Sequence, residues 1–185
     1  MKFAVIALIV ICVIISFVIS IYNTLVKLKT QLDNAWSQIS VQLKRRHDLI
    51  PNLVETVKGY AAHEQETFDK VIKARQQAID ISSGSAKDVS GAENELSSAL
   101  KSIFALAEAY PDLKANQNFL SLQEELASTE NKIAYARQFY NDSAMHYNEA
   151  VQIFPNCIFA GMFNFHKADY FEIDQAESEV VKVSF

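Results

Sequence analysis

The chain has 185 residues, of which half are hydrophobic, and its formal net charge is −5. This length fits one domain of about 100–200 residues together with a short anchor. Nucleic-acid-binding domains are normally basic, so the acidic balance argues against a nucleic-acid partner. Four Gly and three Pro favour long helices over a turn-rich β fold, and two Cys make no disulfide framework.

The N-terminal segment is apolar from Phe3 to Ile21 apart from two serines. About nineteen such residues at ~1.5 Å each span the hydrocarbon layer of a bilayer, which predicts an uncleaved transmembrane helix. A cleaved signal peptide would have a shorter apolar core of about 7–15 residues. A lipoprotein would have a small residue, not Ile11, before Cys12. More lysines follow the segment than precede it, so the positive-inside rule favours a cytoplasmic soluble domain.

Apolar residues continue at helical spacing beyond this segment, past Pro51 and as far as Ile79. Proline inside a helix removes a backbone donor and crowds the preceding turn. We therefore predict one long first helix that bends near Pro51. The first clear turn signal is Ser82–Ser85, and Ser85 followed by Asp88 has the spacing of an N-terminal cap.

Two further helices are predicted, the second ending before Pro111 and the third ending at Pro155. Short connections make neighbouring helices antiparallel. The predicted fold is all-α: a transmembrane anchor at 1–21, an elongated antiparallel bundle of three long helices at 22–155, and an irregular or strand-like tail at 156–185. The third helix has a seven-residue apolar seam formed by Leu126, Ile133, Tyr140, Tyr147 and Phe154.

The most specific motif is QLKRRHDLIPNLVETVKGYAAHE, from Gln42 to Glu64. Further segments are AYPDLKAN at Ala109–Asn116, LQEELASTENKIAYARQFYN from Leu122, and Phe154-Pro155. Together they resemble the LemA family, single-pass bacterial membrane proteins with an all-helical soluble domain. The resemblance implies a bacterial inner-membrane protein with its soluble domain in the cytoplasm, and it implies no established chemistry.

No pattern in the sequence is typical of a catalytic, cofactor or metal site. His63-Glu64 lacks the second histidine that a zinc-protease helix places four residues later, and no Cys or His pair has ligand spacing. No serine lies in a nucleophile elbow, and the scattered glycines form no phosphate-binding loop. We therefore expect a protein that is not an enzyme and that needs no cofactor.

Charged residues nevertheless fall on faces that should be buried. Arg46 lies near the apolar stripe of the first helix, and Arg137 lies on the inner face of the third, seven residues after Glu130. We interpret Arg46, Asp48, Glu130 and Arg137 as a polar network that fixes the helix register. A basic patch that binds anionic lipid or an acidic partner is the alternative. Lys44, however, is about 35 Å beyond the membrane, several Debye lengths of about 8 Å.

The tail after Pro155 is first aromatic, then acidic, and finally strand-like at Val180–Phe185. Disordered segments are poor in aromatics, so we predict that the tail contacts a second copy of the chain. A tail that dips into the bilayer is the alternative, which the acidic run Glu172–Glu179 disfavours because anionic lipid would repel it. The predicted oligomer contacts are Phe159, Phe163, Phe165, Phe171, Val181, Val183 and Phe185.

Taken together, these patterns predict a membrane-anchored, self-assembling helical scaffold that organises or shapes the bacterial membrane. Its partners would be further copies of itself and the lipid bilayer, through residues 3–21. The alternative is a monomeric, membrane-tethered adaptor or sensor for a signalling partner, and an enzyme is the least favoured reading.

Overall fold

The computed structural model describes residues 2–172, and within them all regular structure is α-helical. The predicted all-α class is confirmed there, whereas the strand-like end, including Val181, Val183 and Phe185, lies outside the described residues. The helices are α1 (Lys2–Lys58), α2 (Gln65–Asp80), α3 (Ala86–Glu108), α4 (Pro111–Lys114), α5 (Gln117–Gln152) and α6 (Asn156–Met162).

The start of α1 is a candidate membrane span. Every side chain from Phe3 to Phe17 is exposed, and the most apolar 18-residue window of the helix has a mean hydropathy of 3.3. Among the described residues, α1 is the single helix long and apolar enough to cross a membrane. An apolar surface of this extent that no part of the described chain covers fits a lipid environment.

The chain forms two compact units. Unit 1 contains residues 1–37 and 139–168, and unit 2 contains residues 38–138 and 169–185. α1 and α5 each contribute to both units.

Unit 1 pairs the first part of α1 with the last part of α5 through aromatic contacts. The ring centroids of Trp36 and Tyr140 lie 5.3 Å apart, and Lys29 Nζ lies 5.9 Å from the ring centroid of Tyr147. Moving seven residues back along α1, from Trp36 to Lys29, corresponds to moving seven residues forward along α5, from Tyr140 to Tyr147. The two segments therefore run antiparallel. Burial raises the pKa of Tyr147, and the negative charge of Asp33 raises this pKa further.

The chain after α5 returns to α1 within unit 1. The ring centroid of Tyr22 lies 5.0 Å from that of Phe163 and 5.9 Å from that of Phe165, both in edge-on geometry. The side-chain amide of Asn148 then holds the backbone of Ala168 on both sides: Nδ2 donates to the Ala168 carbonyl at 2.9 Å, and Oδ1 accepts from the Ala168 N–H at 2.8 Å. These contacts fix the segment after α6 against the two long helices of the unit.

Unit 2 has a continuous apolar core formed by α1, α2, α3, α4 and the start of α5. Ser85 caps α3 as the sequence predicts: its Oγ accepts from the Asp88 N–H at 3.2 Å and donates to Asp88 Oδ2 at 2.8 Å. The largest fully buried apolar side chains of this core are Ile50, Leu53, Phe68, Leu96, Ile103 and Leu113.

The prediction of one uninterrupted helix from the membrane to Ile79 is wrong. α1 ends at Lys58, where the N–H groups of Tyr60 and Ala61 both donate to the Val57 carbonyl and turn the chain. The apolar pattern did not reveal this break because α1 and α2 both pack into the same core. The structure continues α1 as a helix through Pro51, and a bend at this residue remains a prediction.

Side chains hold the corner between α1 and α2. Asn116 Nδ2 donates to Tyr60 Oη at 2.9 Å, and Tyr110 Oη donates to Glu64 Oε1 at 3.4 Å. The predicted apolar seam of α5 also ends early, because Phe154 is 79% exposed, whereas Tyr147 is buried. The seam therefore stops at Tyr147.

Candidate functional site

Three helices of unit 2 place charged residues within their apolar heptad seams. Arg46 lies in the seam of α1, Glu93 in that of α3, and Glu130 and Arg137 in that of α5. Seams of helices that pack together face one another, so the charges meet inside the protein. Their nearest buried apolar seam neighbours are Leu43 and Ile50 in α1, Val89 and Leu96 in α3, and Leu126 and Ile133 in α5.

The Arg46–Glu93 ion pair is the centre of this cluster, and each side chain is only 1% exposed. Arg46 Nη2 donates to the Glu93 carboxylate and, at 3.3 Å, to the Glu93 backbone carbonyl. Arg46 Nη1 donates to Glu130 Oε2 at 2.8 Å and to Ser97 Oγ at 3.0 Å. One guanidinium group thus joins α1, α3 and α5.

His47 adds a second contact to the same carboxylate, with Nε2 at 2.8 Å from Glu93 Oε1. Burial alone would raise the pKa of Glu93. The hydrogen bond with His47 and the positive charge of Arg46 outweigh burial, so the pKa of Glu93 lies below its ordinary value. Glu93 is therefore ionised at neutral pH. The buried Arg46 guanidinium is thus paired with a negative charge.

Arg75 of α2 donates a hydrogen bond to a backbone carbonyl next to this cluster. Pro51 has no N–H, so the carbonyl of His47, four residues earlier, loses its donor within the helix. Arg75 Nε donates to this carbonyl at 2.7 Å. A side chain of α2 thereby replaces the hydrogen bond that Pro51 removes from α1.

Arg137 lies at the edge of the cluster. Its Nη2 is 3.4 Å from Glu130 Oε1, and its guanidinium carbon is 5.2 Å from the ring centroid of Phe171. Arg137 and Phe171 are buried, whereas the side chain of Glu130 is 47% exposed. Glu130 therefore bridges two arginines while remaining partly hydrated.

The structure brings together Arg46, Glu130 and Arg137, three of the four residues of the predicted network. Asp48 is exposed and pairs with Lys44 at 3.1 Å on the same helix. Positions 46 and 48 are about 200° apart around a helix, so they cannot share a face. Glu93 takes the place that the sequence analysis gave to Asp48.

Sequence reasoning missed Glu93, Ser97 and Arg75. A signal for Glu93 was present, because it continues the four-three spacing of Val89, Leu96, Leu100 and Ile103. A carboxylate at a seam position needs a buried cation nearby. The role of Arg75 had no signal of this kind, since it depends on how α2 folds back after the unpredicted turn.

A cavity of about 260 Å³ opens beside the cluster. Its walls combine the apolar side chains of Leu100, Phe104 and Leu126 with the polar groups of Arg46, Ser97, Lys101, Gln123 and Glu130. Such a lining can accept a side chain or small molecule that is partly apolar and partly polar. Residues 2–172 contain no group of three or more His, Cys, Asp or Glu arranged to hold a metal ion.

Three of the four described aromatic residues predicted to contact a second copy have contacts within the chain. Phe163 and Phe165 face Tyr22 in unit 1, Phe159 is half-buried, and Phe171 is buried against Arg137 in unit 2. The remaining candidates, Val181, Val183 and Phe185, lie outside the described residues.

A candidate membrane span and a helical fold with a buried ion-pair cluster define a membrane-associated helical protein. The sequence profile of the LemA family matches residues 35–185, and the chain belongs to this family.

Individual relatives agree with the family assignment. The chain is 27% identical over 165 residues to Protein LemA of Metamycoplasma hominis, covering 88% of this chain and 74% of the relative. It is 25% identical over 175 residues to Magnetosome protein MamQ 2 of Paramagnetospirillum magneticum, covering 82% and 64% respectively. Magnetosome protein MamQ of Magnetospirillum gryphiswaldense is 24% identical over 174 residues, covering 81% and 64%. The chain thus spans slightly less than two thirds of the length of the MamQ relatives.

Proposed function

We propose that this protein is a membrane-anchored, self-assembling helical scaffold that organises the bacterial membrane. The observation that carries the proposal is the start of α1, whose side chains from Phe3 to Phe17 are apolar or small and all exposed. The same helix continues without interruption to Lys58, so the anchor needs no linker. The similarity to magnetosome proteins supports a role tied to a membrane compartment.

The proposal places the anchor in the inner membrane and the helical domain in the cytoplasm. Lys27 and Lys29 follow the span, whereas only Lys2 and the amino terminus precede it. Positive charge is retained on the cytoplasmic side of bacterial membranes, which supports this orientation. A bend of α1 at Pro51 is part of the architecture that we propose for the scaffold.

The proposed contact between copies is one face of the membrane span. Cys12, Ser16 and Ser20 recur every four residues, and side chains this small let two helix backbones approach closely in a bilayer. A shallow groove runs along this face, lined by Cys12 and Ser16 together with Leu8, Ile9 and Val13. The tail aromatics are a weaker choice than the sequence suggested, because three of the four described ones have contacts within the chain.

The test combines particle mass with cross-linking. The mass of the detergent-solubilised full chain, after subtraction of detergent, should be at least twice the 20.8 kDa of one chain. In membranes, oxidation of the Cys157→Ser variant should join two chains through Cys12. A matched control moves the thiol to the other side of the span, with Val10→Cys in a Cys12→Ser, Cys157→Ser background, and should cross-link several-fold less. A monomeric mass with equal yields from the two positions would end the proposal.

The cavity beside Arg46 favours a second candidate function. Its mixed lining can receive a side chain of another protein, as expected of a monomeric membrane-tethered adaptor or sensor for a signalling partner. A monomeric mass in detergent would favour this function over the scaffold.

A further inference from the structure

The aromatic contacts of unit 1 show which part of α1 lies beside the end of α5 and beside the segment that follows it. Trp36 faces Tyr140, and Lys29 faces Tyr147, seven residues further along each helix. α5 ends at Gln152, five residues beyond Tyr147, which places its end near position 24 of α1. The apolar run of α1 ends at position 21, so, given the membrane anchor of the proposed function, the end of α5 and α6 lie where α1 leaves the bilayer.

The contacts at this level extend slightly into the apolar run. Tyr22 faces Phe163 and Phe165. Ile21 is buried and Val18 is half-buried, whereas every side chain from Phe3 to Phe17 is exposed. The segment after α5 therefore covers α1 down to about one turn inside the predicted hydrocarbon layer.

Four large apolar side chains at this level point away from the protein. Ile153 is 49% exposed, Phe154 79%, Ile158 52% and Met162 71%. We call these four residues the interfacial patch. Isolated exposed apolar residues need no explanation, but four large ones within ten residues of chain mark a surface that binds a membrane or another protein.

The charge around the interfacial patch fits an anionic lipid surface. From Ala150 to Ala168 the chain contains no Asp or Glu, and His166 and Lys167 add basic groups. Glu172 is the described start of the acidic run that disfavours bilayer contact. It belongs to unit 2, where its Oε1 lies 3.5 Å from Lys87 Nζ.

We propose that the interfacial patch inserts into the headgroup–acyl boundary of the same bilayer that α1 crosses. α6 then lies at the interface with Ile158 and Met162, four residues apart, on the side that enters the lipid. Phe154 occupies the depth at which aromatic side chains are enriched in membrane proteins. The protein thus contacts the membrane at two depths: α1 spans the bilayer, and α6 lies at its interface.

The two native cysteines allow both depths to be measured in the full-length protein. Cys12 lies within the span and Cys157 within α6, and both are exposed. A nitroxide label is placed on Cys157 in a Cys12→Ser variant, and on Cys12 in a Cys157→Ser variant. A third variant, Ser128→Cys in the background without other cysteines, carries the label at an exposed site of unit 2. Each is reconstituted into vesicles of phosphatidylcholine and phosphatidylglycerol, and collisions with oxygen and with a water-soluble nickel chelate are compared.

The label on Cys157 should show an oxygen-to-nickel accessibility ratio several-fold above that of position 128 and below that of Cys12. Replacing Phe154 and Met162 by serine should lower the ratio at Cys157, whereas the matched control Tyr135→Ser, at a side chain 76% exposed in unit 2, should not.

Two results would overturn the inference. A Cys157 ratio equal to that of position 128 would place α6 in water. A label shielded from both reagents would mean that protein, such as a second copy, covers the patch. A low ratio at Cys12 would instead remove the membrane anchor, and with it the proposed function.

Discussion

The two units of the chain are stabilised by different chemistry, although both use apolar seams with the same heptad spacing. Unit 1 joins α1 to α5 by aromatic and small apolar side chains, and its ion pair Lys29–Asp33 lies on the surface of a single helix. Unit 2 buries Arg46 against Glu93 and links three helices through one guanidinium.

A buried ion pair adds little net stability over an apolar replacement, yet breaking it is costly. A shifted register in unit 2 would leave these charges without partners, whereas in unit 1 it would exchange one apolar contact for another. We therefore infer that the buried charge cluster fixes the register of unit 2, whereas the pairing of α1 with α5 in unit 1 depends mainly on aromatic and apolar packing.

The largest effect is expected from Glu93→Ala, which leaves the buried Arg46 without its main acceptor. We expect a loss of about 3–5 kcal/mol of unfolding free energy. Hydrogen exchange, resolved by peptide, should report the loss in unit 2. Glu95→Ala is the matched control, since Glu95 is an exposed residue of the same helix, and it should change stability by no more than about 0.5 kcal/mol. Equal effects of the two variants would show that the cluster does not hold unit 2.

Leu25→Ala tests the apolar side of the comparison. Leu25 is 0% exposed in unit 1, and truncating a buried leucine costs about 2–5 kcal/mol through lost burial and the cavity left behind. Hydrogen exchange in the peptides of unit 1 should be faster in this variant than in the wild type. The size of this increase should not depend on pH between neutrality and pH 4. A strong pH dependence would mean that charge also stabilises this unit.

Arg75→Met should cost about 1.5 kcal/mol, because it leaves the His47 carbonyl without a donor. The cause can be isolated by a double-mutant cycle with Pro51→Ala, which restores a backbone N–H four residues after His47. In that background Arg75→Met should cost less than in the wild type. An equal cost in both backgrounds would show that Arg75 contributes through packing and not through the carbonyl left by Pro51.

Acid should weaken unit 2 through Glu93. Because the fold holds the pKa of Glu93 below the ordinary value of 4.5, its stabilisation is fully present above this pH and is lost as the pH falls below it. The Glu93→Gln variant should therefore show a shallower loss of unfolding free energy below pH 4.5 than the wild type. Parallel curves would assign the acid sensitivity to other carboxylates.

The smallest effect is expected at Asp48, the residue that the sequence analysis assigned to the network. Its pair with Lys44 joins two exposed side chains of one helix, and such pairs contribute about 0.3–0.5 kcal/mol. Asp48→Ala should change the denaturation midpoint slightly, and 1 M salt should abolish the difference. A loss comparable to that of Glu93→Ala would restore Asp48 to the network.

The helical class, the candidate membrane span and the cap at Ser85 could be predicted because each depends on neighbouring residues. The turn after Lys58 could not, because apolar periodicity describes which face is buried and not whether the backbone reverses between two buried faces. The network was incomplete for a related reason. Arg46 and Glu130 were visible as charges in a seam, but their shared partner Glu93 depends on how α3 packs against α1.

The amide of Asn148 has a consequence for how the sequence can vary. It satisfies both a donor and an acceptor of the Ala168 backbone, and among side chains of this size only asparagine offers both. Aspartate would bring two acceptors to a site that needs one donor, and leucine would leave both backbone groups unpaired. In an alignment of sequences that share the path after α6, we expect asparagine to persist at this position while its exposed helical neighbours vary freely.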